Sequence, residues 1–209
     1  MVVAKNLQEN IIEQLKTNEL VRIPASEEDY FSVAYNLPFK VEYHDSEIIT
    51  MGLASYFHEK LTARLIVLLS QLFDQIDGDF DILASNSGVQ IPKFEGGYYM
   101  PDVMVVKGEP SFKPNSTAVI TNPYIVVEIL SPATSEFDLR GKLPEYKHLE
   151  SLQQIIYVSQ KKTNVSSFIR SENPNIWLNQ DFYTLEDNLV VENINISLSD
   201  IYKKIKFKK

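Results

Sequence analysis

Three short sequences in the middle of the chain decide the fold: MPDVMVV at residues 100–106, YIVVEIL at residues 124–130 and DLRGK at residues 138–142. The first two are apolar runs that each carry one acid, Asp102 or Glu128, and such runs are typical of strands buried on both faces. The third is typical of the first turn of a helix and carries Lys142. A buried carboxylate is costly unless a cation pairs with it. Two acids in apolar strands and a nearby lysine therefore indicate a metal-dependent phosphodiesterase.

Length and composition limit the classes of protein that this chain can represent. Its 209 residues favour one domain with extra terminal elements, and we expect a helical N-terminal extension at residues 1–22 and a single domain at residues 23–209. The sequence has no cysteine and three widely spaced histidines, which excludes thiolate metal sites and argues against zinc. Any metal would be held by carboxylate and carbonyl oxygens, which suits Mg²⁺ or Mn²⁺.

Charge and hydropathy predict the location of the protein in the cell and its class of binding partner. We find neither a signal-peptide pattern at the N-terminus nor an apolar run of membrane-spanning length, so we expect a cytoplasmic protein without a membrane partner. The net charge of −8 argues against a general nucleic-acid coating protein, although a local basic groove is compatible with it. We interpret the basic segment KKIKFKK at residues 203–209 as a solubilising end, with phosphate binding as the alternative.

Periodicity and capping residues predict an α/β class of fold, an α+β mixed sheet flanked by helices. Ser26 and Ser55 are the expected N-caps of two helices, and Pro144 predicts a kink or a restart at Leu143 in a third. The predicted helices lie at residues 6–15, from 26 onward, 58–73, 138–149 and 199–202. The predicted strands lie at residues 40–51 (a hairpin), 80–84, 88–92, 102–106, 124–130, 154–158, 165–170, 177–185 and 189–196, with a loop at 93–97.

An ordered set of motifs resembles a known family of nucleases. The set comprises MPD at 100–102, VEILSPAT at 127–134, Asp138, Lys142 and Tyr146, together with EY at 42–43, EI at 47–48, His58 and LQQIIYV at 152–158. It resembles the PD-(D/E)xK nuclease superfamily, and within it the restriction-endonuclease-like Uma-two family that is abundant in cyanobacteria. The resemblance covers residues 23–202. It implies a restriction-endonuclease-like core with flanking helices and extra β-strands at the C-terminus.

The same resemblance implies a site and a reaction. Asp102, Glu128 and the carbonyl of Ile129 would bind Mg²⁺ or Mn²⁺, which assists the hydrolysis of phosphodiester bonds in DNA. Lys142 would orient the attacking water or stabilise the developing charge. His58 is carried over as a catalytic residue that contacts a metal-bound water or the phosphate.

One position departs from the superfamily pattern. The superfamily has lysine two residues after the acid of its third motif, and here that position is Leu130. Lys142 on the following helix would replace it by reaching back over the loop at residues 131–132, which a flexible lysine stem allows. The alternative is that Lys142 pairs with Glu145 or Glu128 on a helix surface. For His58, the alternative is a helix N-terminal residue satisfied by backbone.

Several other side chains are weaker candidates. Glu47 and Glu59 could supply a further metal ligand, although His58 and Glu59 should point in different directions on a helix. Asp138 is interpreted as a helix cap. Tyr146, one turn after Lys142, is expected to pack against the lysine stem or to form a hydrogen bond within the site. For His44 and His148 we expect solvated positions.

Two rival functions and one assembly follow from the same residues. The acidic net charge and Leu130 support a catalytically inactive nuclease-fold protein that binds or regulates. A nuclease for RNA, or for a particular nucleic-acid structure, would use the same site. Symmetric cleavage of duplex DNA needs two sites, so we expect a homodimer.

Overall fold

The two strands that carry the predicted acids are neighbours in a six-stranded sheet. The computed structural model describes residues 2–91 and 97–207. In spatial order this sheet, sheet B, contains β12 (Trp177–Phe182), β11 (Val165–Arg170), β10 (Gln154–Ser159), β9 (Pro123–Leu130), β7 (Val103–Lys107) and β4 (Phe80–Ala84). Strands β9 and β10 are parallel and the other neighbours are antiparallel.

A second six-stranded sheet, sheet A, is also mixed, since β5 and β8 pair in parallel and its other pairs are antiparallel. In spatial order it contains β1 (Leu20–Pro24), β3 (Glu47–Met51), β2 (Val41–His44), β6 (Gly97–Tyr99), β5 (Gly88–Ile91) and β8 (Val119–Ile120). A separate hairpin contains β13 (Asn188–Val191) and β14 (Ile194–Ser197). Mixed sheets flanked by helices confirm the predicted fold class.

Two of the helices begin at the predicted caps, Ser26 and Ser55, whereas the first begins at Val2 and not at the predicted residue 6. They are α1 (Val2–Leu15), α2 (Glu27–Ala34), α3 (Tyr56–Phe73), α4 (Leu143–Tyr146) and α5 (Leu198–Ile201), with a π-helical segment at Phe137–Lys142. The Ser26 hydroxyl accepts a hydrogen bond from the backbone of Asp29 at 3.1 Å, and the Ser55 hydroxyl accepts one from the backbone of His58 at 3.2 Å. Both bonds satisfy amides that the first turn of a helix leaves free. No helix in the described parts of the chain is long and apolar enough to cross a membrane.

Three apolar clusters hold four layers together. The first joins α1 and α2 to the outer face of sheet A and includes Ile11 and Ile48. The second lies between the two sheets and includes Ile91 and Val126. The third joins sheet B to α3, where Leu65 packs. The order of layers is therefore α1 and α2, sheet A, sheet B and α3, with the candidate site between the two sheets.

The structure corrects several predicted boundaries. The predicted helix at residues 138–149 is a π-helical segment followed by α4, which restarts at Leu143 as Pro144 predicted, because proline fits the first turn of a helix. The predicted strand at 189–196 is a hairpin, since Glu192 and Asn193 form its turn with positive φ angles of 49° and 63°. The last helix begins at Leu198, one residue before the predicted start.

Other differences arise from short strands. Strands β1 and β8 were not predicted, and their pairing partners are distant in the sequence. Of the predicted loop at 93–97, the residues 93–96 lie outside the described residues, as does residue 92 of the predicted strand at 88–92. Residue 97 begins β6.

Candidate active site

Asp102 and Glu128 are brought together by the pairing of β7 with β9. Val103, the first residue of β7, pairs with Val127 of β9. Because the strands are antiparallel, Asp102 lies opposite Glu128. Both carboxylates are buried. The structure therefore places the two predicted acids side by side at one end of two central strands.

Asp102 is surrounded by donors. Its Oδ1 accepts a hydrogen bond from Lys40 Nζ at 2.8 Å, and its Oδ2 accepts one from the backbone N–H of Ile129 at 2.8 Å. His58 Nε2 lies 3.1 Å from the same Oδ2. Burial alone would raise the pKa of Asp102, but Lys40 and His58 outweigh burial and hold it well below its usual range. Asp102 is therefore an ionised acceptor.

Lys142 reaches back to Glu128, as the resemblance required. Its Nζ lies 3.1 Å from Glu128 Oε1, 2.9 Å from Glu42 Oε1 and 3.0 Å from Asp138 Oδ1. The contacts to Glu42 and Glu128 are hydrogen bonds and the contact to Asp138 is an ion pair, so three carboxylates surround the ammonium. The lysine side chain is 2% exposed, so Lys142 pairs with Glu128, one partner named in the alternative, but in the interior and not on a helix surface. Glu145 pairs elsewhere.

Burial and charge compete at Glu128 and Lys142. Burial raises the pKa of Glu128, and the positive charges of Lys142 and Lys40 offset burial only in part. Burial alone would lower the pKa of Lys142, but Asp138, Glu128 and Glu42 together raise it well above its ordinary value. Tyr146 donates a hydrogen bond to Glu128 Oε1 at 2.8 Å, which confirms its predicted place within the site.

Glu42 is a third buried carboxylate that the sequence analysis did not select as a site residue. Its neighbours Val41 and Tyr43 face α1 and α2, so alternation along β2 turns Glu42 into the layer between the sheets. Its Oε1 accepts hydrogen bonds from Lys142 and from the backbone N–H of Met100 at 2.7 Å. Its Oε2 is buried and has no hydrogen-bond partner within the described residues.

Lys40 is the second residue that sequence reasoning missed. It follows Pro38 and Phe39 in a turn, where no local pattern distinguishes it from a solvated lysine, and its contact with Asp102 spans 62 residues. Glu42 did carry a signal, because it interrupts a short apolar strand as Glu128 does.

A cleft of about 920 Å³ opens onto one side of this cluster. Lys40, His58 and Asp102 line it, and the Lys40 side chain is 17% exposed. Glu128 and Lys142 lie behind them, buried between the sheets. The volume is within the range of pockets that hold a small ligand or part of a larger one.

The structure locates the two candidates for a further metal ligand, Glu47 and Glu59, outside the central cluster. Glu47 pairs with Arg22 at 3.3 Å, on the β1–β3 side of sheet A. Glu59 is 64% exposed, and its Oε1 lies 3.6 Å from His58 Nδ1. The expected divergence of His58 and Glu59 is found, because it is His58 that faces Asp102.

Two predictions about polar side chains were wrong. Asp138 is not a helix cap, since it lies inside the π-helical segment and pairs with Lys142 instead. His44 is not solvated: its Nδ1 lies 2.6 Å from the hydroxyl of Tyr99 and 3.2 Å from Glu145 Oε1, and the Tyr99 hydroxyl also donates to Glu145. Both errors arise from partners that are remote in sequence.

A divalent cation such as Mg²⁺ requires oxygen donors. Within residues 2–91 and 97–207, no group of three His, Cys, Asp or Glu side chains is arranged to hold a metal. The available donors are nevertheless oxygens, from Asp102 and Glu128, with the unpartnered Oε2 of Glu42 nearby. Mg²⁺ keeps several waters and needs only one or two protein carboxylates. The residues therefore fit such a cation in their chemistry.

Comparisons with known proteins define first the fold and then the family. The structure resembles a crystal structure described as "a putative nuclease belonging to DUF820" from Anabaena variabilis, with a TM-score of 0.66 and 15% identity over 86% of this chain and 98% of that chain. This likeness shows that the two chains share a fold. Residues 27–199 match the Uma2 family, described as "Putative restriction endonuclease", and the chain belongs to that family.

The chain is also similar to two proteins of a cyanobacterium. The chain is 32% identical to the uncharacterized protein slr1290 of Synechocystis sp. PCC 6803 over 184 residues, which cover 87% of this chain and 93% of that protein. It is 35% identical to the uncharacterized protein sll1609 of the same organism over 121 residues, 58% of this chain and 67% of that protein. The resemblance seen in the motifs is thereby confirmed.

Proposed function

We propose that this protein is a metal-dependent endonuclease that hydrolyses phosphodiester bonds in DNA and works in the cytoplasm. One observation carries the proposal: Asp102 and Glu128 are buried side by side, matched with lysines, next to a cleft. A structural ion pair would need neither the cleft nor a second acid. Membership of a family of putative restriction endonucleases supports the same activity.

Mg²⁺ or Mn²⁺ would be held by Asp102, Glu128 and the carbonyl of Ile129. When bound, such an ion lowers the pKa of a water and neutralises charge on the phosphate. Glu128 accepts a hydrogen bond from the Tyr146 hydroxyl, which fixes the orientation of the Glu128 carboxylate. The backbone N–H of Ile129 does the same for Asp102.

Two lysines would supply positive charge from different sides. Lys142 acts as the buried countercharge of Glu128 and stabilises negative charge at the site through space, since three carboxylates enclose its ammonium. Lys40 faces the cleft, so it can leave Asp102 and bind a phosphate oxygen there. We therefore add Lys40 to the catalytic residues predicted from the sequence.

His58 completes the wall of the cleft. Burial alone would lower the pKa of His58, but its hydrogen bond to Asp102 raises it above the ordinary value. A protonated His58 is a donor for a phosphate oxygen or for a water, and the N-cap at Ser55 fixes the turn from which it projects.

A plasmid assay tests the activity. Supercoiled plasmid is incubated with the protein and Mn²⁺ or Mg²⁺, and the wild type is compared with Asp102→Ala, Glu128→Ala and the exposed-turn control Asp45→Ala. We expect cleavage by the wild type and the control alone. Cleavage that survives Glu128→Ala would come from a different site and would contradict the proposal.

Thermal unfolding tests the metal separately from cleavage. A ligand that binds the native state raises the melting temperature, and the effect grows with ligand concentration above Kd. Millimolar Mg²⁺ or Mn²⁺ should therefore stabilise the wild type more than Asp102→Ala. Equal effects on both proteins would contradict the metal site.

A binding or regulatory protein without catalysis is the second candidate. It is favoured by the pairing of Asp102 and Glu128 with Lys40 and Lys142, because these contacts satisfy both acids without a metal. Its signature would be DNA binding without cleavage at any divalent ion. An RNA or structure-selective nuclease would instead cleave RNA or branched DNA in the same assay.

We also propose that two copies act together on duplex DNA. A single site cuts one strand, and a symmetric pair of sites cuts both. Light scattering on the protein alone and bound to a short duplex tests this. A monomer in both conditions, with single-strand nicks as the sole product, would contradict it.

A further inference from the structure

The C-terminal residues fold back onto a loop beside the cleft. The hydroxyl of Tyr202 lies 3.1 Å from the carbonyl oxygen of Ser159 and 2.7 Å from that of Asn164, and it accepts a hydrogen bond from the backbone of Asn164 at 3.2 Å. The tyrosine is buried. These contacts fix the segment at 203–207 against the loop at 159–164, so its described part is not a free tail. Residues 208 and 209 lie outside the described residues.

Two further contacts join this region to the start of α3. Lys60 donates a hydrogen bond from Nζ to the carbonyl oxygen of Lys204 at 2.5 Å, where Lys204 has a positive φ of 60°. Ser55, the N-cap of α3, donates to Gln160 Oε1 at 2.6 Å. Three segments that are distant in sequence therefore meet on one side of the cleft.

Lysines are concentrated where these segments meet. We define the lysine rim by six residues: Lys60, Lys161, Lys162, Lys203, Lys204 and Lys206. Two carboxylates, Glu59 and Asp200, belong to the same segments, and Asp200 lies 4.0 Å from Lys203. The rim is thus strongly positive in a chain whose net charge is −8.

The rim is continuous with the candidate active site. Lys161 and Phe207 line the same cleft as Asp102 and His58. Phe207 also packs edge-on against Tyr202, with ring centroids 5.5 Å apart. A polyanion that crosses the lysines would therefore enter the cleft at the buried carboxylates.

We propose that the lysine rim binds the phosphates of DNA on one side of the scissile bond. The proposal rests on the proposed nuclease function for the identity of the polyanion. Phosphate contacts position a protein on nucleic acid, and lysine serves as a point charge for this purpose. The rim would hold the flanking strand while Lys40 and His58 meet the phosphate to be cut. For the C-terminal segment, this favours phosphate binding, the alternative in the sequence analysis, over a solubilising end.

Salt dependence of DNA binding tests the rim without requiring cleavage. The probes are a fluorescein-labelled duplex of mixed sequence and each of its single strands. The protein is titrated into each probe in EDTA, at KCl concentrations between about 50 and 200 mM. The variant is Lys161→Gln, Lys162→Gln and Lys206→Gln together. The control removes the same charge elsewhere, with Lys107→Gln, Lys113→Gln and Arg140→Gln.

Each lost phosphate contact reduces the slope of log Kobs against log[KCl] by about 1, so we expect a slope smaller by about 2–3 in the rim variant. The control should retain the wild-type slope. Equal slopes for the rim variant and the wild type would contradict the proposal that the lysine rim binds DNA. A wild type that does not bind DNA in EDTA would contradict it as well. Cleavage is scored in the separate plasmid assay. A rim variant with a reduced slope alongside a wild type that never cleaves would support the rim and contradict the nuclease.

Discussion

Lys40 and Lys142 contact different carboxylates of one cluster, and they differ in exposure to solvent. Lys142 is enclosed by Glu42, Glu128 and Asp138, whereas Lys40 contacts Asp102 from the wall of the cleft. A buried ion pair is costly to break, because the partner is left as an uncompensated charge. The two lysines should therefore differ in how much they contribute to stability and to activity.

Replacing each lysine with methionine separates these contributions. We expect Lys142→Met to lower the free energy of unfolding by about 3–5 kcal/mol, because three buried carboxylates lose their common partner. Lys40→Met should cost less, about 1.5–3 kcal/mol, since Asp102 keeps His58 and the Ile129 amide. Urea unfolding measures both values. A larger cost for Lys40→Met than for Lys142→Met would contradict this assignment.

The pKa of Asp102 predicts a pH dependence of stability. The folded-state pKa lies below the unfolded value, so the ionised carboxylate stabilises the fold above the unfolded pKa, and this stabilisation is lost as the pH falls through the folded pKa. Asp102→Asn should therefore be less stable than the wild type near neutral pH, and the difference should shrink on acidification. Urea midpoints of both proteins, measured from neutral pH down through the unfolded pKa of about 3.9, give this difference in stability. A difference that grows toward acid pH would contradict it, and Asp45→Asn in an exposed turn is the control.

At the scale of elements, the π-helical segment at Phe137–Lys142 places Lys142 in the site. Gly141 allows the wide turn, because a Cβ at this position would lie 2.6 Å from Phe137 Cδ2 and 2.8 Å from its Cε2. The Phe137 ring packs against Tyr99 and His44, and Lys142 Nζ lies 5.3 Å from its centroid. The positions of the Phe137 ring and of Lys142 therefore both depend on the absence of a Cβ at Gly141.

Gly141→Ala should lower stability by about 1–3 kcal/mol, the usual cost of overpacking, and should reduce cleavage by displacing Lys142. Gly52→Ala is the matched control for stability alone, because a Cβ there would meet nothing within 4 Å but Gly52 lines the cleft. In the double variant with Phe137→Leu, the smaller side chain should relieve part of the clash, so the two costs should not add. Additive costs, or a Gly141→Ala variant as stable as the control, would contradict this packing.

At the scale of the whole molecule, α1 belongs to the outermost of four layers. Ile11 is 0% exposed and packs in the cluster that covers sheet A, whereas its neighbour Ile12 is 43% exposed. If the N-terminal helix and the sheets unfold as one unit, the buried isoleucine contributes to the stability of the whole chain.

The neighbouring isoleucines give a matched test of this layer. Ile11→Ala should lower the free energy of unfolding by about 2–5 kcal/mol in a single transition, because it leaves a cavity. Ile12→Ala should change it by less than about 1 kcal/mol, as is usual for an exposed side chain. Urea unfolding followed by fluorescence and by circular dichroism measures both. Two separate transitions would instead show that residues 1–22 unfold independently of the remainder.

The sequence by itself determined the strand that follows Asp102, the strand that carries Glu128, the helix caps at Ser26 and Ser55, the restart at Leu143 and the place of Lys142 on the segment after β9. These features depend on periodicity, capping and proline geometry, which act over a few residues. Motif order added the family, which the comparisons confirm. The catalytic roles of the predicted residues stay predictions.

Tertiary structure alone decided which charges meet. Lys40 reaches Asp102 across 62 residues, and Glu42 shares Lys142 across 100 residues. It also fixed the basic C-terminal segment beside the cleft through Tyr202. The physical reason is that a buried charge is stabilised by whatever lies within hydrogen-bonding distance after folding. Local sequence specifies the strand or helix that carries a charged residue, whereas the packing of sheet A on sheet B specifies the partner that it finds.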